Sequence, residues 1–121
     1  NDGALDVLIA VNDDRPVLLR NKVGARNHWL GLRLIGKQSN PDGVGARISW
    51  QAGELKRSTM KVAGGSYLSS HDPRVVLGLG TRAKMDWLEI KWPQPSGAVE
   101  RFTNLPLDRY ITIIEGTKKW A

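Results

Sequence analysis

Cysteine is absent from all 121 residues. That excludes disulfides, cysteine-rich zinc sites and thiol nucleophiles, so a domain of this size has to be held by its apolar core. Histidine is scarce: His28 and His71 are the two in the chain, and their wide separation argues against a zinc centre. No apolar run approaches the ~20 residues of a membrane helix, and no stretch keeps a helical period. The opening Asn1-Asp2-Gly3 carries neither an initiator Met nor a basic leader, so we expect a piece of a longer protein. Acidic residues are fewer than basic ones, 12 against 18, for a net charge of +6. Such a balance raises a polyanion partner. The Lys and Arg residues are scattered, however, with no run longer than two. That pattern suits a solvated surface better than a nucleic-acid footprint, and nucleic acid is not the expected partner.

Catalytic arrangements are equally thin. Ser69, Ser70, His71 and Asp72 adjoin in sequence, but a nucleophile, a base and an orienting acid need spatial convergence that one short loop rarely supplies. Asp86 and Glu89 lie three apart in a strand-like run and so point to opposite faces, which does not suit a carboxylate pair acting on one bond. We expect no enzyme and no cofactor here.

Glycine-dense turn chemistry dominates two stretches, Ser39 to Arg47 and Gly64 to Gly80. Glycines beside short polar side chains allow sharp reversals and close backbone approach. Each stretch feeds a strand-like run, and together they gather Asn40, Asp42, Ser66, Tyr67, Ser69, Ser70, His71 and Asp72. They read either as ordinary tight connections or as binding loops on a rigid sheet.

In chain order, Leu5 to Val11 and Pro16 to Arg20 flank the turn Asn12-Asp13-Asp14 and predict a hairpin within 1–21. Its start, Asn1-Asp2-Gly3-Ala4-Leu5-Asp6, looks like the back half of a calcium loop of the type Asp-x-Asp-x-Asp-Gly-x-x-Asp. Asp2 and Asp6 would be two of the ligands, with the Ala4 carbonyl a third. The earlier acidic positions fall before residue 1, so poor calcium affinity is expected. Residues 22–26 form a basic connector. From 27 to 116, period-two patterning places Leu30, Leu32 and Leu34 on one face, as it does Ala46, Ile48, Trp50 and Ala52, then Val75, Leu77 and Leu79, then Leu88, Ile90 and Trp92. Parity puts Trp29 and Trp87 on the opposite faces, which makes them candidates for exposed aromatic surface. Leu55 to Val62 reads as a polar edge strand. A last strand, Tyr110 to Glu115, precedes a frayed tail at 117–121. These features predict an all-β fold, an antiparallel β-sandwich or open barrel of about seven to nine short strands.

Four blocks then become recognisable together: Asn40-Pro41-Asp42-Gly43-Val44-Gly45-Ala46-Arg47, Gly64-Gly65-Ser66-Tyr67-Leu68-Ser69-Ser70, Val76-Leu77-Gly78-Leu79-Gly80, and Leu88-Glu89-Ile90-Lys91-Trp92-Pro93 with Gly97. In this order and spacing they resemble the ASPIC/UnbV domain family across roughly residues 27–116. Asp2-Gly3-Ala4-Leu5-Asp6 with Leu18-Leu19-Arg20-Asn21 resembles the end of an FG-GAP (VCBS) repeat. The resemblance implies a parent with an integrin-like β-propeller ahead of this domain, Ca2+ in its blades, and a secreted, periplasmic or cell-surface setting. It transfers no catalytic residue.

The expected function is a non-catalytic module that recognises a protein or glycan. Asn40, Asp42, Ser66, Tyr67, Ser69 and His71 would hydrogen-bond the partner, Arg47 or Arg74 would add charge-assisted contacts, and Trp87 is a platform for stacking. The alternative is a structural cap on the propeller's last blade, with the hairpin packed on the domain through Val7, Ile9, Val17 and Leu19. A carbohydrate- or nucleic-acid-binding barrel is a third reading.

Overall fold

The computed structural model of the chain describes residues 4–121. Among them it contains β1 (Val7–Ile9), β2 (Val17–Leu19), a 3₁₀ turn (Gly24–Arg26), β3 (His28–Ile35), β4 (Arg47–Ala52), β5 (Leu55–Met60), β6 (Val75–Gly80), β7 (Trp87–Lys91), β8 (Val99–Phe102) and β9 (Arg109–Ile114). The apolar alternation becomes two sheets facing one core. Leu30, Leu32, Leu34, Leu77, Leu79, Ile111 and Ile113 come from the sheet ordered β6-β3-β9. Ile48, Trp50, Ala52, Leu88, Ile90 and Phe102 come from the sheet ordered β5-β4-β7-β8. Among the described residues no strand joins the two sheets, so the fold is a sandwich and not a barrel.

One pairing departs from the antiparallel expectation. β9 runs parallel to β3, with Leu30 opposite Arg109 and Ile35 opposite Ile114. The reason is the route of the chain: β9 is entered from β8 at the end of the sandwich where β3 also starts. Both strands therefore run toward the same far edge.

The registers also decide which loops meet. Arg47 pairs with both Met60 and Lys91, Lys91 pairs with Val99, and Leu32 pairs with Val75. The connections 36–46, 61–74 and 92–98, together with the C-terminal end of β9, thus share one rim. Both glycine-dense stretches open onto it.

The structure decides three points that the sequence left to be tested. Trp29 is 6% exposed. Although parity turns it away from the core, it packs edge-on against Tyr110 with ring centroids 5.0 Å apart, on a part of the sheet that residues near Gly24 also border. Second, 117–121 is not frayed: Gly116 at φ +79° reverses the chain, and Ala121 exchanges two backbone hydrogen bonds with Thr112 at 2.7 and 3.1 Å. Third, the hairpin is present but does not pack on the sandwich through its apolar faces. Val7, Ile9, Val17 and Leu19 stay 43–53% exposed. Met85 joins the core from outside any strand. It is buried because the chain crosses between the sheets at 81–86, before β7 sets its alternation.

Close approach fixes one glycine. A Cβ on Gly31 would collide with the Cδ1–Cε1 edge of the Tyr110 ring. Gly31→Ala is expected to cost about 2 kcal/mol through overpacking. Tyr110→Ala in the same chain should recover most of that increment, measured as a double-mutant cycle in urea. Additive losses would contradict the close approach.

Candidate functional site

The rim is built around two carboxylates that the polar-loop reading passed over. Glu115, 5% exposed, follows the last residue of β9. Its Oε2 accepts the backbone N–H groups of Lys37, Gln38 and Ser39 at 2.6, 2.8 and 2.9 Å, and Ser39 Oγ lies 2.8 Å from Oε1. Burial pushes the Glu115 carboxyl up, but hydrogen bonds from the Ser96 and Ser39 hydroxyls and the Ser39 and Lys37 N–H groups outweigh it and hold it at about 2 instead of 4.5. Glu100, 4% exposed, accepts Trp92 Nε1–H at 2.6 Å, Gly116 N–H at 3.0 Å and Lys118 N–H at 3.0 Å. The two carboxylates tie the β3–β4 loop and the C-terminal turn to the sandwich. Parity carried the signal: Glu100 is in phase with Phe102, and Glu115 with Ile111 and Ile113.

Of the sequence candidates, Asn40 is spent inside its own loop. Its Oδ1 accepts Val44 N–H and its Nδ2 donates to Val44 O, both at 2.8 Å. Asp42 is exposed, and its charge favours the Lys61 ammonium, although burial and the neighbouring Arg33 charge leave that lysine lowered overall. Arg74 is likewise an anchor. Its guanidinium grips Asp72, with Nε 2.9 Å from Oδ1, and lies 4.2 Å from the Tyr110 ring centroid, which pins the base of the β5–β6 connection to the three-stranded sheet. That pairing pulls the Asp72 carboxyl down to about 2.

Beyond this anchor the connection projects into solvent. Ser66 and Ser69 bridge each other, and between them Tyr67 is 90% and Leu68 89% exposed. Leu68 has φ +49°, a left-handed turn position that a branched apolar residue adopts at a cost. His71 lies against Gly65, and Ser66, Ser69 and His71 are all exposed. Ser70 Oγ contacts the His71 carbonyl and Asp72 is taken by Arg74, so the four adjoining residues do not line up as a relay.

Arg47 lines an open cleft of about 470 Å³ at the rim, with Met60, Lys91, Pro93 and Gln94. Trp87 does not belong to this cluster. It pairs with Gln51 at the opposite end of β4, donates its Nε1–H to Gln51 Oε1 at 3.0 Å, and has Arg101 4.5 Å and Lys56 5.8 Å from its ring centroid. The stacking platform expected there already carries two cations.

The calcium reading does not gather a ligand set among the described residues. Asp2 lies outside them. Asp6 uses its carboxylate to accept Asn21 N–H at 2.8 Å, which joins the hairpin to the connector. Among the described residues no three His, Asp or Glu side chains come together as metal ligands.

A search among curated proteins gave no match. The family described as ASPIC and UnbV matches residues 36–119. The matched span takes in the rim loops, both buried carboxylates and the terminal turn that Glu100 holds. It begins just after β3, the strand at the centre of the three-stranded sheet. By this match over most of its length, the chain belongs to the ASPIC and UnbV family.

Proposed function

We propose that this domain is a non-catalytic interaction module at the C-terminal end of an FG-GAP propeller protein, working in a secreted, periplasmic or cell-surface setting. The β5–β6 connection supplies its main contact with a protein partner. The observation that carries this reading is the pair Tyr67 and Leu68, 90% and 89% exposed at the tip of a loop whose base is locked by Asp72, Arg74 and Tyr110. A tyrosine is among the residue types enriched as interface anchors, and Leu68 beside it widens the apolar contact held in water on a fixed base. Ser66, Ser69 and His71 surround them as a polar border, and a glycan is the second ligand class for the same tip.

The test is a titration of the isotope-labelled chain, followed by amide shifts, with the upstream propeller segment and separately with an oligosaccharide panel. Shifts centred on 62–72 that disappear in the Tyr67→Ser, Leu68→Ser double variant are expected. A loop that stays silent toward every addition would end the reading.

One observation favours the cap as a second function. Leu8 and Leu18 are 69% and 59% exposed, and the other face of the hairpin is bare as well, so both sides are available to a neighbouring sheet. Shifts confined to 5–20 on adding the propeller segment would make docking through the hairpin the main role.

A further inference from the structure

Four basic residues far apart in sequence come to lie on one surface, the outer face of the four-stranded sheet. Strand register sets them out in rows. At the rim, Met60, Arg47, Lys91 and Val99 lie side by side; next come Ser58, Ser49, Glu89 and Arg101; then Lys56, Gln51 and Trp87. Arg47, Lys56, Lys91 and Arg101 are all exposed. Among the described strand residues the face carries one carboxylate, Glu89, which is bound to Arg101 at 3.1 Å.

Arg47 and Lys91 are direct cross-strand neighbours of like charge, an arrangement that destabilises a sheet. Among the described residues neither has a carboxylate within 4.0 Å. Both line the open rim cleft of about 470 Å³, together with the Gln94 amide. Lys56 and Arg101 form a second pair, gathered over the Trp87 ring. Along the sheet Lys56 lies four residues from the Arg47–Lys91 row, roughly 13 Å, and Arg101 two, roughly 7 Å. The Ser49 and Ser58 hydroxyls, 3.1 Å apart, fill the row between Arg47 and Lys56, and Gln51 sits beside Lys56.

We propose that this face binds a linear acidic polysaccharide, carboxylated or sulfated. One anionic group would sit at Arg47 and Lys91 in the rim cleft and another at Lys56 and Arg101. Sugar hydroxyls would meet the serine and glutamine side chains between them. Charge complementarity selects a polyanion, and the local chemistry selects this class. Single-stranded nucleic acid needs open aromatic faces for its bases, whereas the one aromatic ring here is overlain by cations. An acidic protein would need an apolar centre to its interface, and here the centre is polar, with Met60 and Val99 at the margins. The face is distinct from the Tyr67–Leu68 tip, so this site stands or falls independently of the loop reading.

The probes are a heparin-derived hexasaccharide, an oligogalacturonate, a neutral dextran oligomer and a single-stranded oligodeoxynucleotide, titrated calorimetrically at several salt concentrations. Saturable binding of an acidic probe but not of the dextran is expected. Arg47→Gln with Lys91→Gln should weaken it by about tenfold or more. The same change should reduce the slope of log K against log salt by about two. The thermal midpoint of that variant should be unchanged or higher, since it relieves a like-charge pair, so lost binding cannot be blamed on unfolding. Arg20→Gln with Lys22→Gln removes the same net charge elsewhere and should leave affinity within about twofold, as should Tyr67→Ser with Leu68→Ser. Equal weakening by the Arg20 and Lys22 pair, tighter binding of a single-stranded oligodeoxynucleotide, or no saturable binding would each overturn the proposal.

Discussion

Replacing Glu115 with alanine is expected to lower the thermal midpoint by roughly 10 °C or more, the counterpart of about 3 kcal/mol in a domain of this length. Glu115 is 5% exposed, and its Oε2 is shared by three consecutive backbone N–H groups of the β3–β4 loop. Losing the acceptor strands the buried Ser39 amide at about 1–3 kcal/mol and unties the loop from β9, while the Ser39 hydroxyl can still donate to the Pro93 carbonyl at 2.9 Å and the exposed Lys37 and Gln38 amides can turn to water. Amide exchange at Lys37, Gln38 and Ser39 should accelerate well before the rest of the sandwich responds. Glu115→Gln keeps an acceptor oxygen and loses the charge, so it should fall between wild type and alanine.

The same site sets an acid limb. A carboxyl held at about 2 when folded and near 4.5 when unfolded binds more protons in the unfolded chain. Its contribution is therefore complete above pH 4.5 and lost as pH falls toward 2. The linkage amounts to on the order of 3 kcal/mol. Urea midpoints recorded from pH 6 to 2 should fall steeply in the wild type and more gently in Glu115→Gln. Parallel slopes for the two proteins would show that Glu115 is not the group that titrates.

The second large effect is expected at Glu100. Glu100→Ala removes the acceptor of the Trp92 indole N–H, buried at 1% exposure, and of the Gly116 and Lys118 amides. A loss of about 2–4 kcal/mol follows from one buried orphan donor and an unfastened terminal turn. The discriminating readout is local: exchange protection at 116–121, and the cross-strand pairing of Ala121 with Thr112, should disappear in folded protein. Trp92→Phe should cost less in the Glu100→Ala background than in the wild type, because the two share one bond. Full protection at 116–121 in folded Glu100→Ala would remove the carboxylate from its place as the anchor of that turn.

Period two was enough to bury Leu30, Ile48, Trp50, Leu77, Leu88 and Ile90, because strand faces alternate whatever their partners are. It also carries Glu100 and Glu115 inward, although acids ordinarily avoid cores. They are tolerated there because backbone amides surround them. Turn composition located both glycine-dense connections, but not what their side chains would do. Asn40 and Arg74 carry functional groups suited to a ligand, yet Val44, Asp72 and Tyr110 engage them inside the protein. Parity made Trp29 a candidate for exposure without deciding it, because parity states which way a side chain points and not what covers it.

From the amino acids alone came the all-β class, the hairpin, the strand faces and the family, since each depends on local alternation, turn residues or motif spacing. Only the tertiary structure decided that β9 lies parallel to β3, that the C-terminal turn is fastened, and that Arg47, Lys56, Lys91 and Arg101 share a surface. Those outcomes depend on which strands become neighbours. Neighbour choice is settled by packing two sheets over one core, and it can bring together charges that look scattered along the chain.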